Sequence, residues 1–284
     1  MDKIMILGST GMAGHMITKV LEKNDYNVIN YARRPIFSNT KELNLRTIGN
    51  EIIREKPDLV INCVAILVQD SQNNVSEATR INGVFPVKLG ETIRKYGGAY
   101  IHLSTDCVFS GNTSTFYDEE STPDPVSIYG VTKYLGEEAK ANGLVIRTSI
   151  IGPEFPGRHH TGLFNFFMNS IGTVNGWNYA IWSGVTTYEL AKYISYLIKT
   201  TQLPMYGLQH LVNNAGISKY NLLRMIAEVY DKDIEIIEIE KLERINRYMV
   251  CNNPPNDYKV PEYREMLIEM KDNYKDLISD DIIK

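Results

Sequence analysis

Tyr129 and Lys133 stand four residues apart in YGVTK, and the tetrapeptide LSTD at 103–106 precedes them by about twenty-five residues. On a helix, that spacing puts phenol and ammonium on one face. A free tyrosine titrates near ~10, too high to exchange protons readily at neutral pH. A neighbouring ammonium favours the phenolate and lowers that value. The pair therefore has the makings of a general acid that protonates a carbonyl oxygen. Ser104 and Thr105 close the run of apolar residues before Tyr129, and a hydroxyl there can orient the same carbonyl. An isolated YxxxK is an ordinary exposed helical turn. Two features set this one apart: LSTD behind an apolar strand, and the Pro123–Pro125 turn just ahead of the helix.

A second constellation opens the chain. Gly8, Gly11 and Gly14 form GxxGxxG in GSTGMAG, between a short apolar run and a helical pattern. In that context the first glycine permits a tight turn, the second a close approach of backbone to a pyrophosphate, and the third close helix–strand packing. The helix start then offers amide N–H groups and a positive dipole end to phosphates. The second strand ends near Asn30 and Tyr31 with no acidic residue to grip a ribose 2′-hydroxyl; Arg33 and Arg34 follow instead. An arginine there suits a 2′-phosphate, so NADP(H) is favoured over NAD(H), with a solvated loop as the alternative role of these arginines.

The elements that must position these groups alternate. Strands are expected at Lys3–Leu7, Val28–Tyr31, Leu59–Val64, Tyr100–Leu103 and Leu144–Arg147, and helices at Gly11–Lys23, Ile48–Glu55, Val84–Tyr96 and Val126–Asn142. Repeated βα units of this length imply a parallel sheet with right-handed crossovers. After Gly152 the texture changes to Pro153, Pro156 and Gly157, then an aromatic-rich stretch with Phe164, Trp177 and Trp182. Further helices are expected at Thr187–Lys199 and Ser218–Tyr230, and strands at Leu208–Val212 and Ile234–Ile239. The expected class is α/β: a Rossmann-type doubly wound parallel sheet over 1–152, with a smaller C-terminal substrate lobe over 153–284, some of whose elements return to the core.

Composition is that of an ordinary globular chain: 284 residues, 43% hydrophobic, 23% charged, formal net charge -4. No basic run supplies a phosphate-tracking stripe, so nucleic acid is not an expected partner. No apolar run approaches the ~20 residues of a membrane span, and the N-terminus lacks a signal-peptide pattern. Cys63, Cys107 and Cys251 are scattered and show no metal-ligand spacing, which points to a reducing cytoplasm. His159 and His160 in FPGRHHTG have no acidic or cysteine partners at ligand spacing, so no metal is expected. Arg158 beside them has a fork suited to a diphosphate.

GSTGMAG, INCVA at 61–65, LSTDCVFSG at 103–111 and YGVTKYLGE at 129–137 together resemble an extended short-chain dehydrogenase/reductase. More narrowly, STD-x-VF-x-G followed by YG-x-x-K-x-x-GE is similar to dTDP-4-dehydrorhamnose reductases, and the likeness extends to VIRTS at 145–149 and WSGVTTYELAKYI at 182–194. The resemblance implies a catalytic triad of Thr105, Tyr129 and Lys133. It also implies that Gly11, Met12 and Ala13 line the pyrophosphate, that Cys63, Val64 and Ala65 run along the cofactor, and that Asn44 and Leu45 lie beside the adenine. Lys133 is further expected to hold the nicotinamide ribose. Asn44 replaces the family's usual Asp. Cys107 stands in place of Tyr and Ile150 in place of Trp, both at positions the resemblance places near the sugar, so the substrate need not be dTDP-4-dehydrorhamnose.

The activity this implies is NAD(P)H-dependent reduction of the 4-keto group of a nucleotide-linked deoxysugar, in activated-sugar synthesis for surface polysaccharide, with a homodimer as the assembly considered. Two alternatives stand beside it. One is a sugar-nucleotide epimerase or dehydratase of the same superfamily. The other is a non-catalytic NADP-binding regulatory subunit like the β subunit of methionine adenosyltransferase.

Overall fold

The computed structural model describes residues 3–35, 39–154, 162–241, 245–252 and 254–278, with side chains described as far as 274. Arg158, His159 and His160 lie outside the described residues. The first strand, β1 (Ile4–Leu7), is buried throughout. Its residues split by parity: Ile4 and Ile6 enter one hydrophobic cluster, while Met5 and Leu7 enter another on the opposite face. A strand covered on both faces reads as a continuous apolar run.

The other strands of the main sheet are β2 (Val28–Ala32), β3 (Thr40–Glu42), β4 (Leu59–Asn62), β5 (Ala99–Thr105), β6 (Leu144–Thr148) and β7 (Gly207–His210). All pair in parallel, in the order β7-β6-β5-β4-β1-β2-β3. The doubly wound arrangement expected from the sequence is therefore present. β7 comes from the chain beyond residue 152 and extends the sheet built by the first half. The order reverses between β1 and β4, and ligands of open α/β sheets bind in the crevice at such a switch point.

Helices α1 (Met12–Lys23), α2 (Ile48–Glu55), α3 (Phe85–Arg94) and α4 (Ile128–Gly136) follow their strands. From the second half come α5 (Thr187–Thr200), α6 (Lys219–Val229) and α7 (Tyr263–Ile278). Helices α1, α5, α6 and α7 bury their apolar residues in the Ile4/Ile6 cluster. Helices α2 and α3 bury Ile48, Ile52, Leu89 and Ile93 in the other. The long helix expected over 126–142 is shorter. Ser127 caps α4 by accepting from the Gly130 N–H at 3.1 Å, and after Gly136 the chain tightens into a 3₁₀ segment, Glu137–Ala141. That segment carries Glu137 into an ion pair beneath the sheet, an outcome that helical periodicity does not encode.

The lobe is built from small pieces. Thr173–Trp177 pairs in parallel with Glu235–Ile239, and Ala180–Trp182 lies between Ile217–Ser218 and Ile245–Asn246. Val108, Phe109, Tyr117, Val212 and Met249 form a third cluster. It fastens the loop after β5 to the chain at 245–252. Among the described residues, no helix is long and apolar enough to cross a membrane.

Candidate active site

The glycine turn sits at the switch point. Gly8 has φ +83, and a Cβ there would stand 3.1 Å from the Cys63 backbone; a Cβ on Gly14 would stand 2.1 Å from the Gly8 carbonyl oxygen. The Cys63 N–H donates to the Leu7 carbonyl at 2.9 Å. The turn after β1 and the run Cys63–Ala65 after β4 therefore face each other across the crevice. Gly11 is the N-cap of α1 and supplies no side-chain cap, so the amides of Met12 and Ala13 open the helix without one. This bare helix start, with backbone close to backbone, fits a pyrophosphate. Arg33 is exposed just beyond β2. Asn44 follows β3; its side chain accepts from the Arg46 N–H at 3.0 Å and its carbonyl from the Ile48 N–H at 2.9 Å, so it shapes the start of α2. Leu45 lies beside it, half-buried.

Thr105 ends β5, Tyr129 is the second residue of α4, and Lys133 lies one turn further on. Thr105 and Tyr129 are brought close enough for the threonine side chain to act on the phenol. The Thr105 hydroxyl donates to Asp106 Oδ1 at 3.1 Å and accepts from the Cys107 N–H at 3.2 Å, so Asp106 braces the turn. Burial pushes the Tyr129 phenol up; Cys107 and Asp106 push the same way, and the Thr105 side chain opposes them. The expected lowering by Lys133 is not what the structure has. Lys133 turns toward the sheet, donates to the Leu103 carbonyl at 2.6 Å and stands 3.3 Å from His102 Nε2. Burial brings Lys133 down to about 8, against the pull of Glu137 and Cys63. The physical reason is local: for both groups desolvation of the charged form outweighs the other causes.

Cys107 lies in the turn after Thr105, its thiol pushed up to about 12 by burial. Ile150 is half-buried, pairs with Val185 and packs on the larger cluster. Trp182 is buried and donates to Ser149 at 2.8 Å, a packing role. Asn82 sits in a π-helical turn, Thr79–Val84. It pairs both ways with the Ile66 backbone (2.8 and 2.9 Å) and donates to Thr132 at 3.1 Å, clamping the loop after β4 to α4. π-turns of this kind recur at functional sites.

Several groups at the site were not singled out from the sequence. His102 lies on β5 two residues before Ser104, on the same face by strand alternation; a histidine inside an otherwise apolar strand was the available signal. Arg247 donates to Cys107 Sγ at 3.5 Å and to the Phe109 carbonyl at 3.1 Å. Lys219, the first residue of α6, stands 5.3 Å over the Trp177 ring. Burial lowers its proton affinity; Asp106 opposes this and Arg247 adds to it. Two cations from the lobe thus converge on the turn that carries Thr105. Nothing local to either residue announces this.

Comparison with known proteins bears on the chain's family and fold. The chain is 30% identical over 157 residues to the spore coat polysaccharide biosynthesis protein SpsK of Bacillus subtilis, covering 52% of this chain and 53% of that protein. It is 33% identical over 141 residues to methionine adenosyltransferase 2 subunit beta of Xenopus tropicalis, covering 48% and 42%. The chain thus spans about half the length of the curated relatives it matches, or less. The crystal structure of dTDP-4-dehydrorhamnose reductase from Bacillus anthracis in complex with NADP shares the fold: TM-score 0.80, 19% identity, 96% of this chain and 99% of that one. Residues 1–266 match the family described as the RmlD substrate binding domain. With that match running from the glycine turn into α7, the chain belongs to the RmlD substrate binding domain family.

Proposed function

We propose that the chain reduces the 4-keto group of a nucleotide-linked deoxysugar with NAD(P)H, supplying activated sugar for surface polysaccharide. The observation that carries this reading is the approach of Thr105, at the carboxyl end of its strand, to Tyr129 on the helix that also carries Lys133, next to the glycine-lined crevice. The names of the relatives support the pathway: one is a spore coat polysaccharide protein, and one fold neighbour is a dTDP-4-dehydrorhamnose reductase holding NADP.

In this reading Gly8, Gly11, Met12, Ala13 and Gly14 would hold the pyrophosphate, Cys63–Ala65 the middle of the cofactor, and Asn44, Leu45 and Arg33 the adenosine end. A bound nicotinamide supplies hydride for C4. Thr105 orients the ketone oxygen and Tyr129 gives it a proton, leaving an alcohol and a phenolate that is reprotonated. Lys133, when charged, holds the nicotinamide ribose. Arg247 and Lys219 meet the substrate's diphosphate, joined by Arg158, and Cys107 and Ile150 shape the sugar pocket. NADP(H) is favoured over NAD(H) because Arg33, and no acidic residue, follows β2. The dinucleotide domain is assigned to 1–152 and the substrate lobe to 153–284, with β7 returning to the sheet. The setting is the cytoplasm, in keeping with three cysteines that form no disulfide.

The test is incubation with NADPH and a panel of dTDP- and UDP-linked 4-ketosugars, with products identified by NMR. A 4-hydroxy product supports the reading; no NADPH oxidation across the panel sinks it. A second reading, a regulatory NADP-binding subunit, draws on the 33% identity to the methionine adenosyltransferase β subunit. Co-purification of a synthetase together with a silent panel would favour it.

A further inference from the structure

Beneath the candidate site lies a buried polar chain that the proposed reaction does not use. Asn62 and His102, paired across β4 and β5, are both fully buried. The Val64 N–H can only donate, and it reaches Asn62 Oδ1 at 3.1 Å. That contact orients the amide. Asn62 Nδ2 must then face the other way, and it stands 3.2 Å from the Tyr100 hydroxyl and 3.1 Å from His102 Nδ1. His102 Nδ1 therefore accepts. A neutral imidazole carries one N–H, which is left at Nε2. Nε2 is 3.3 Å from Lys133 Nζ. A ring N–H pointed at an ammonium sets two donors against each other; pointed at a neutral amine it makes a hydrogen bond. The Leu103 carbonyl at 2.6 Å accepts from the lysine in either state.

We propose that His102 is a positioning residue which holds down the proton affinity of Lys133, with Asn62 selecting the ring tautomer that does so. This deepens the reductase reading, on which its functional meaning rests. To charge Lys133 with its hydrogen bonds intact, the ring must move its proton to Nδ1, Asn62 must turn its amide, and the Val64 N–H must give up its acceptor. The charge of the lysine is thereby tied to the backbone of the Cys63–Ala65 run. The other titratable groups facing Lys133 are Cys63 after β4 and Glu137 on the 3₁₀ segment, both of which favour its charged form. Glu137 is itself held by Arg147 at 2.6 Å and Ser104 at 2.6 Å. Tyr100 faces Asn62 and Cys63. The ring stays neutral: burial and then Lys133 hold His102 well below its usual range, against the Asn62 carbonyl.

The experiment is a pH titration of the full chain labelled with 13C-lysine, following the Lys133 Cε signal, which is assigned by its absence in Lys133→Arg. The wild-type midpoint is expected near 8. In His102→Gln, whose amide can turn its carbonyl to the lysine, the midpoint rises by roughly one unit, a tenfold gain in proton affinity. A folded His102→Gln with an unmoved midpoint overturns the proposal. A second measurement needs no variant: long-range 1H–15N correlation of the wild-type imidazole reads the tautomer. Nε2–H supports the proposal and Nδ1–H overturns it, including where His102→Gln does not fold. Neither readout requires turnover, so failure of the reductase reading and failure of this inference are separate results.

Discussion

The buried network beneath the parallel sheet and the cations that face Thr105 from the lobe hold their polar groups in different ways. In the sheet half Asn62, His102, Lys133, Glu137 and Arg147 are each 3% exposed or less, and each has a hydrogen-bonding partner. In the lobe Trp177 is 43% exposed, and Lys219 and Arg247 are half-buried. A buried, fully partnered network is rigid and sharpens electrostatics. A half-open set of cations and an aromatic leaves room for a ligand to complete it. Under the proposed reductase reading, this contrast gives proton chemistry to the sheet half and substrate capture to the lobe.

That contrast can be broken by substitution, and the largest effect is expected at the phenol. Tyr129→Phe should cost on the order of 10²–10⁴ in kcat on an accepted ketosugar, the share of a positioned acid; wild-type turnover would remove Tyr129 from the chemistry. Next comes the buried ion pair. Arg147→Met strands the Glu137 carboxylate, whose guanidinium partner sits at 2.6 Å with both side chains almost fully buried. Urea unfolding should show a loss of about 3–5 kcal/mol, and a loss under about 1 kcal/mol would mean the sheet half does not depend on its internal pairing. Gly14→Ala puts a methyl where the Gly8 carbonyl oxygen lies 2.1 Å away. NADPH affinity should fall about tenfold, or about 1.4 kcal/mol, by fluorescence titration, and an unchanged Kd would move the pyrophosphate elsewhere.

The lobe should answer differently. Arg247→Ala is expected to raise KM roughly tenfold with kcat within about a factor of two, the mark of lost uniform binding. An equal fall in kcat would place Arg247 with the chemistry and erase the division. The finest effect is in pH. Burial brings Lys133 down to about 8 in the folded chain, and in the proposed reaction its ammonium holds the nicotinamide ribose. kcat/KM should therefore fall as pH rises through about 8, and a profile flat from 7 to 9 would contradict that role.

The stability sign for Lys133 follows from the same depression. Between about 8 and the ordinary lysine range the unfolded chain binds the proton and the folded chain does not. The contribution of this group to stability therefore rises with pH across that window and is already at its lowest below it.

Much of the sheet half was legible beforehand because its signals are short-range. Ile48–Glu55 was read with the bounds the structure has, and the runs at β1, β2, β5 and β6 differ only at their ends. Apolar runs, helical spacing and glycine or proline stops operate within a few residues of themselves. The lobe was read less completely. The expected strand at 234–239 is present, yet its partner is Thr173–Trp177, some sixty residues away in sequence. The helix Tyr263–Ile278 and the short strands about Ala180–Trp182 were not anticipated. Arg158 lies outside the described residues.

The amino-acid order by itself determined the alternation of strand and helix, the glycine turn at the first crossover and the shared helical face of Tyr129 and Lys133. Each follows from backbone sterics or from a period of two or 3.6 residues. The tertiary structure alone decided that Lys133 points at His102 rather than at the phenol, that Arg247 reaches Cys107 from 140 residues away, and that burial outweighs charge at both Tyr129 and Lys133. Desolvation and long-range pairing depend on what the folded chain packs around a group, and no local window of sequence carries that information.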